Sequence, residues 1–491
     1  MEVSHRLTPY WRGLDRSQRV ALGGMTALIA GAIAVRAWLI VGYGQAFLGI
    51  NDSGLYVSSA EKSLFGPTTS LAIYQKPVGY PIFLRIIHVI SSDLSVTILV
   101  QHLLGIATGV LLYGAVRRTG APPYLGLLPA AVAFFGGTGL FLEHTLVSDA
   151  PFAFFQAVGV YAAVRGLSEP KLRWPLVAGL AIGVSFLIKP VGLASAILVP
   201  PLLLLAAPGS RRRQLRSATT AALAIIAMIL AYVGAQGLVT GYWGYLRYGG
   251  WNLYARVATF ADCSKFTPPA GTQLLCPTEP LGHRMSQNGF EYSESSPIQR
   301  WAAVHDPADW NGGLERFSIA AIEQEPIAYL KAILRGLPYY ITPRFGEGYT
   351  PVQLREELLN PTPWAAVIEG YYPYDRAYTR QSGSISPLVF YEEHTRVEGA
   401  FLVLLLLAAI VGAPLLRRRQ RWGAILFTLT ALFSAILAVA GNSYDVRYAY
   451  PTFGPLAAGA ALGAWGIATR LKRERARRWP RGEGVAATPH R

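Results

Sequence analysis

Apolar stretches recur along the chain near residues 20–42, 96–116, 123–141, 150–166, 174–188, 190–208, 217–239, 398–416, 422–440 and 451–469. A bilayer core of about 30 Å takes roughly 20 helical residues to cross, so most of these segments have the length of a membrane span. The pair that meets at Lys189 and Pro190 also admits a broken or re-entrant arrangement. The pattern predicts an all-α polytopic membrane protein with about ten transmembrane helices. Two longer segments interrupt it, 43–95 and 240–397. Each holds a short stretch of helical periodicity: Ile82, Phe83, Ile86, Ile87 and Ile90 oppose Arg85 and His88, and Ile327, Leu330, Ile333, Leu334 and Leu337 oppose Lys331 and Arg335. Both are too short to span and are expected to lie in the interface.

Composition agrees: 52% of the 491 residues are hydrophobic and 15% charged, against roughly 25% charged in a soluble domain. An ordinary soluble enzyme is excluded. The net charge of +16 raises nucleic acid as a partner, so the placement of the 44 Lys and Arg decides. Loops 1–19, 117–122, 165–173, 209–216, 417–421 and 470–491 carry 25 of them. Those loops share one side of the membrane if the N-terminus is cytoplasmic, as the positive-inside bias favours. The runs Arg211 to Arg213 and Arg417 to Arg419 therefore read as orientation signals, and no nucleic-acid partner is expected.

This topology predicts cytoplasmic termini and two outer segments. The expected organisation is a membrane core over 1–239 with a first outer loop at 43–95, an extracytoplasmic domain at 240–397, C-terminal membrane helices at 398–469 and a basic tail at 470–491. The lead from Arg6 to Arg19 precedes an apolar stretch of about 23 residues, longer than the roughly 7–15 of a cleavable signal core, so the first span is expected to be retained. The excess of Arg over Lys suits a GC-rich bacterial genome, which sets the expected location as a bacterial cell membrane. Both cysteines, Cys263 and Cys276, fall in the outer domain. A disulfide between them would persist outside the cell, with a pair of free thiols as the alternative.

The stretch with the most chemistry is Asn51-Asp52-Ser53-Gly54-Leu55-Tyr56, just after the first span, followed by Tyr74-Gln75-Lys76-Pro77-Val78-Gly79-Tyr80-Pro81. Val147-Ser148-Asp149-Ala150-Pro151-Phe152, Lys189-Pro190-Val191-Gly192-Leu193 and Asp445-Val446-Arg447-Tyr448-Ala449-Tyr450-Pro451 stand on the same expected side. In order and placement these segments resemble the C-type (GT-C) membrane glycosyltransferases, the superfamily of the protein O-mannosyltransferases and aminoarabinose transferases. The likeness covers roughly 1–205 and 398–470. A single Asp52 stands where the mannosyltransferases carry an adjacent acidic pair, and 240–397 resembles nothing identified.

The resemblance implies transfer of a sugar from a polyprenyl-phosphate carrier to an acceptor hydroxyl at the outer face, with inversion. Such a reaction needs a carboxylate to take the acceptor's proton and fixed positive charge for the departing phosphate. Asp52 is the candidate base, although Asn-Asp-Ser-Gly is also ordinary turn chemistry. Arg447 is the candidate phosphate ligand, although its flanking tyrosines also suit an interfacial belt. Lys189 and Lys76 are further phosphate candidates, or cations that snorkel to the interface. Glu143 and Asp149 are candidates for a second acid or for orienting the acceptor. With His144 they raise a divalent ion as an option, though hydrogen-bonded structural roles fit their spacing better. Arg36, deep in the first span, reads as an interfacial anchor or an ion-pair partner, with a ligand contact as the alternative. Tyr371, Tyr372, Tyr374 and Tyr378 suit surface packing or sugar stacking. No cofactor is assigned, and the expected partners are a polyprenyl-phosphate sugar, a glycan, lipid or protein acceptor, and the bilayer. The rival reading is a transporter or flippase of a lipid-linked saccharide, disfavoured because no matching halves appear in the sequence.

Overall fold

The computed structural model describes residues 15–43, 46–47, 51–61, 64, 77–246, 249–306, 309–342 and 386–478. Among them the protein is all-α, with one isolated bridge between Phe47 and Thr145 in place of any strand. The chain is an all-α polytopic membrane protein. Among the described residues, five helices are long and apolar enough to cross a bilayer: Arg16–Tyr43, Leu94–Arg118, Arg211–Thr240, Ser386–Leu415 and Arg418–Gly441.

In chain order, α1 (Arg16–Tyr43), α2 (Asn51–Glu61), α3 (Gly79–Ile90) and α4 (Leu94–Arg118) come first. After them α5 (Leu127–Phe135) and α6 (Gly137–His144) form one apolar unit bent by 49° at Gly136. The helices α7 (Asp149–Gly166), α8 (Arg173–Ile188), α9 (Leu193–Ala206) and α10 (Arg211–Thr240) follow. A cluster of five short helices comes next: α11 (Gly249–Ala258), α12 (Gln287–Tyr292), α13 (Pro297–Ala302), α14 (Trp310–Gln324) and α15 (Pro326–Gly336). Then α16 (Ser386–Thr395) runs into α17 (Gly399–Gly412), and α18 (Arg418–Gly441) and α19 (Val446–Arg478) close the described chain. The apolar stretches expected at 174–188 and 190–208 form two shorter helices, broken at Lys189. Those at 150–166 and 451–469 are the helices α7 and α19.

The bundle is held by small residues as much as by large ones. α7 packs between α4 and α8, while α19 lies against α17 and α18. At the α17–α19 crossing a Cβ on Gly463 would stand 2.0 Å from the Ala408 carbonyl oxygen. That is close backbone approach of the kind small residues permit between membrane helices. α11 to α15 have their own apolar core, built on Trp251, Tyr254, Phe290, Trp301, Leu314 and Phe317. Cys263 and Cys276 are joined by a disulfide at its edge. This cluster rests on the end of α18: the Gln287 amide donates to Asn442 Oδ1 at 2.6 Å and the Tyr329 hydroxyl to the Ala440 carbonyl at 3.0 Å.

The two amphipathic helices differ from one another. On α15 the stripe Ile327, Leu330 and Leu334 is exposed, as an interfacial helix requires. On α3 the apolar residues divide between two faces. Tyr80, Leu84 and Ile87 turn into the bundle while Ile86, Val89 and Ile90 stay exposed, and Arg85, expected opposite the apolar face, donates to the Ala60 carbonyl at 2.5 Å. A helix touching protein on one side and lipid on the other is apolar on both, which a single-face reading misses.

Candidate functional site

Four elements bring ionisable side chains together at one end of the bundle. Asp52 is on the first turn of α2, Asp149 opens α7, and Arg447 is on the first turn of α19. Lys189 follows the last residue of α8, and its extended backbone has a local cause: Pro190 disfavours helical torsion angles in the residue before it. Asp445 caps the start of α19 by accepting from the Arg447 backbone N–H at 2.8 Å.

The side chains form a continuous chain, Lys189 to Asp149 to Arg447 to Asp52. The Lys189 ammonium donates to Asp149 Oδ1, and Arg447 Nε and Nη2 each lie 3.0 Å from Asp149 Oδ2. Arg447 Nη1 reaches Asp52 Oδ2 at 2.5 Å. Lys189 Nζ also lies 3.4 Å from the Arg447 carbonyl oxygen and 4.9 Å from the centre of the Tyr448 ring. Isolated charges so deeply buried would each cost several kcal/mol, so mutual pairing is what permits them. Side-chain exposure separates the two acids: it is 0% for Asp149 and 15% for Asp52. Asp52 is therefore the carboxylate of the chain that a ligand can reach. Two residues before Arg447, burial pushes the Asp445 carboxyl above its ordinary range, against the pull of the Arg447 guanidinium.

Hydrogen bonds at the backbone and at Tyr56 hold this cluster in place. The Tyr56 hydroxyl on α2 and the Ser148 hydroxyl before α7 lie 2.9 Å apart, tying the helix of Asp52 to that of Asp149. The Phe47 N–H donates to the His144 carbonyl at 2.9 Å, and the Leu146 N–H to the Phe47 carbonyl at 3.1 Å. The segment leading into α2 is thus laced to the turn that leads into α7.

Glu143 is not in the cluster. It accepts Arg36 Nε and Nη2 bidentately, each at 2.8 Å, and lies 3.0 Å from His102 Nδ1. His102 Nε2 in turn lies 3.0 Å from His144 Nδ1. All four residues are buried, and Gly105 leaves the room they need, since a Cβ there would stand 1.8 Å from Glu143 Oε1. Of the readings open for Arg36, an interfacial anchor, an ion-pair partner or a ligand contact, the ion pair is the one observed. Among the described residues no three His, Cys, Asp or Glu side chains converge to hold a metal ion. Lys76 and the tyrosines 371, 372, 374 and 378 lie outside the described residues.

Sequence reading passed over Asp445, Tyr56, Ser148 and His102. Asp445 and Tyr56 stood inside segments already singled out, and His102 was a polar residue in the middle of an apolar span, a signal in its own right.

Residues 75–234 match the family of dolichyl-phosphate-mannose-protein mannosyltransferases. No curated protein matches the chain. Among solved structures, the archaeal oligosaccharyltransferase AglB from Archaeoglobus fulgidus, in complex with an inhibitory peptide and a dolichol-phosphate, aligns at 14% identity and a TM-score of 0.43 over 94% of this chain and 52% of that one. ArnT from Cupriavidus metallidurans, bound to undecaprenyl phosphate, aligns at 14% identity and a TM-score of 0.36 over 92% of this chain and 79% of that one. The chain spans about half the length of the archaeal enzyme. The matched stretch is about a third of the chain and carries Asp149, Lys189 and Glu143.

Proposed function

We propose that this protein transfers a sugar from a polyprenyl-phosphate carrier to an acceptor hydroxyl, with Asp52 as the base and Arg447 and Lys189 as the groups that receive the carrier phosphate. The observation that supports this reading is the sharing of Arg447 between a buried and a reachable carboxylate. Asp149 holds Arg447 and Lys189 in position, with one oxygen to each. A carrier phosphate competes with Asp52 for Arg447 Nη1 and, on binding, releases the Asp52 carboxylate from that contact to take a proton from the acceptor. Fixed cations stabilise the charge that develops on the departing phosphate without reorganising during the reaction. Attack by the acceptor from the side of Asp52, opposite the phosphate, gives inversion. Lys76, three residues before α3 in sequence, is assigned to the same phosphate on the family resemblance.

The proposed orientation sets the cluster at the outer face, both termini in the cytoplasm and residues 240–397 as the domain that shapes the acceptor site. A transporter of a lipid-linked saccharide would need reachable polar groups along a path through the bundle. The buried Arg36, Glu143, His102 and His144 satisfy one another instead.

The test is transfer of radiolabelled sugar, from a panel of polyprenyl-phosphate monosaccharides, into the cell-envelope fraction by wild type and Asp52→Asn. The variant is expected to fall by about 100-fold or more, the scale of a lost general base. Its affinity for undecaprenyl phosphate is expected to be kept or raised, since the carboxylate that competes for Arg447 has lost its charge. Near-normal transfer by the variant overturns the assignment.

A further inference from the structure

At the other end of the bundle, 26 residues and roughly 40 Å along α19 from Arg447, lies a cavity of about 640 Å³. It opens between the start of α1, the turn after α4, the loop before α18 and the last turns of α19. From this cavity we infer a binding site for the phosphate headgroup of an anionic phospholipid, held by Arg417 and Arg473.

The charge of the cavity is positive. Arg417, Arg470 and Arg473 line it against one acid, Asp15. The Asp15 carboxylate is already engaged, accepting from the Gln18 N–H at 2.8 Å. Arg470 is paired with Glu474, one turn on, at 2.8 Å. The neighbouring arginines are used structurally: Arg419 donates to the Arg118 carbonyl and the Ser168 hydroxyl, and Arg421 to the carbonyls of Pro414 and Leu416. Among the described residues, no ion pair engages Arg417 or Arg473. Two guanidinium groups flanking one cavity suit a phosphate, which each can bind through two N–H groups.

The surroundings favour a lipid over a free ion. Trp465 and the apolar side of Leu416 form part of the wall, and Trp is at home at the level of the headgroups. Val20 on α1 and Leu471 on α19 stand exposed next to the cavity-lining Ser17 and Arg470, at 53% each, where acyl chains would descend. Basic pockets between helix ends on the positive side of a membrane protein are suited to anionic headgroups.

The experiment is thermal unfolding of the purified full chain in a neutral detergent, titrated with phosphatidylglycerol, phosphatidylcholine or inorganic phosphate. The variants are Arg417→Gln/Arg473→Gln and, as a control from the same end of the bundle, Arg211→Gln/Arg212→Gln. Phosphatidylglycerol is expected to raise Tm of the wild type, with at least a tenfold weaker midpoint in the Arg417/Arg473 variant and no change in the control. An equal rise with phosphatidylcholine, or equal weakening in both variants, overturns the site. A full rise with inorganic phosphate alone overturns the lipid as its source. None of these outcomes depends on sugar transfer, so the site stands or falls apart from the proposed chemistry.

Discussion

Arg447 neutralises two carboxylates that arrive from α2 and α7, hundreds of residues away in sequence. Removing it leaves Asp149 fully buried with Lys189 as its remaining partner in the ionic chain and takes from Asp52 its contact with the guanidinium. Arg447→Ala is therefore expected to cost about 3–5 kcal/mol of stability, the scale for breaking a buried pair from one side. It is also expected to weaken undecaprenyl phosphate binding at least tenfold. Arg447→Lys keeps the charge but cannot span both acids with a planar fork, so it should recover stability in part and affinity less. Thermal unfolding and lipid-phosphate titration of both variants check this, and unchanged affinity in Arg447→Ala would move the phosphate role elsewhere. Asp52, Asp149, Lys189 and Arg447 were legible as candidates because charged residues at the ends of apolar runs are conspicuous. Glu143 carried the same signal and turned out to serve Arg36, since a pattern of residue types does not say which cation an acid will meet.

Helices were legible where one apolar run spanned the bilayer, as in α1, α4, α10 and α18. The breaks came from local chemistry visible in sequence, such as Pro190 after Lys189. What the runs did not reveal is how closely the helices approach. Gly463 and Gly412 meet backbone to backbone at the α17–α19 crossing, so Gly463→Ala is expected to overpack it, at a cost of about 1–3 kcal/mol. Gly234 on α10 has nothing within 4 Å of a built Cβ, and Gly234→Ala should leave the unfolding temperature unchanged or raise it. In the cluster of α11 to α15, the disulfide closes a loop with a sequence separation of 13. Its loss in Cys263→Ser/Cys276→Ser should cost about 3 kcal/mol, read as a lower unfolding temperature that reductant reproduces in the wild type and does not change in the variant.

For the whole molecule, the distribution of Arg and Lys predicts the orientation, and labelling can test it. Single cysteines introduced into a Cys263→Ser/Cys276→Ser background, at Ser293 among the short helices and at Ser168 near Arg419, should react with a membrane-impermeant thiol reagent from opposite sides in intact cells. Ser293 should label from outside and Ser168 only after the membrane is opened. Labelling of Ser168 in intact cells would invert the topology and with it the face on which Asp52 is proposed to act.

Hydropathy and charge along the chain determined by themselves that this is a helical membrane protein and roughly where its spans lie, because lipid imposes length and composition on each segment independently. Only the tertiary structure decided that Lys189, Asp149, Arg447 and Asp52 form one chain of contacts while Glu143 turns to Arg36 and His102. Those pairings join helices distant in sequence, and in a low-dielectric interior each charge must find its partner wherever packing delivers one.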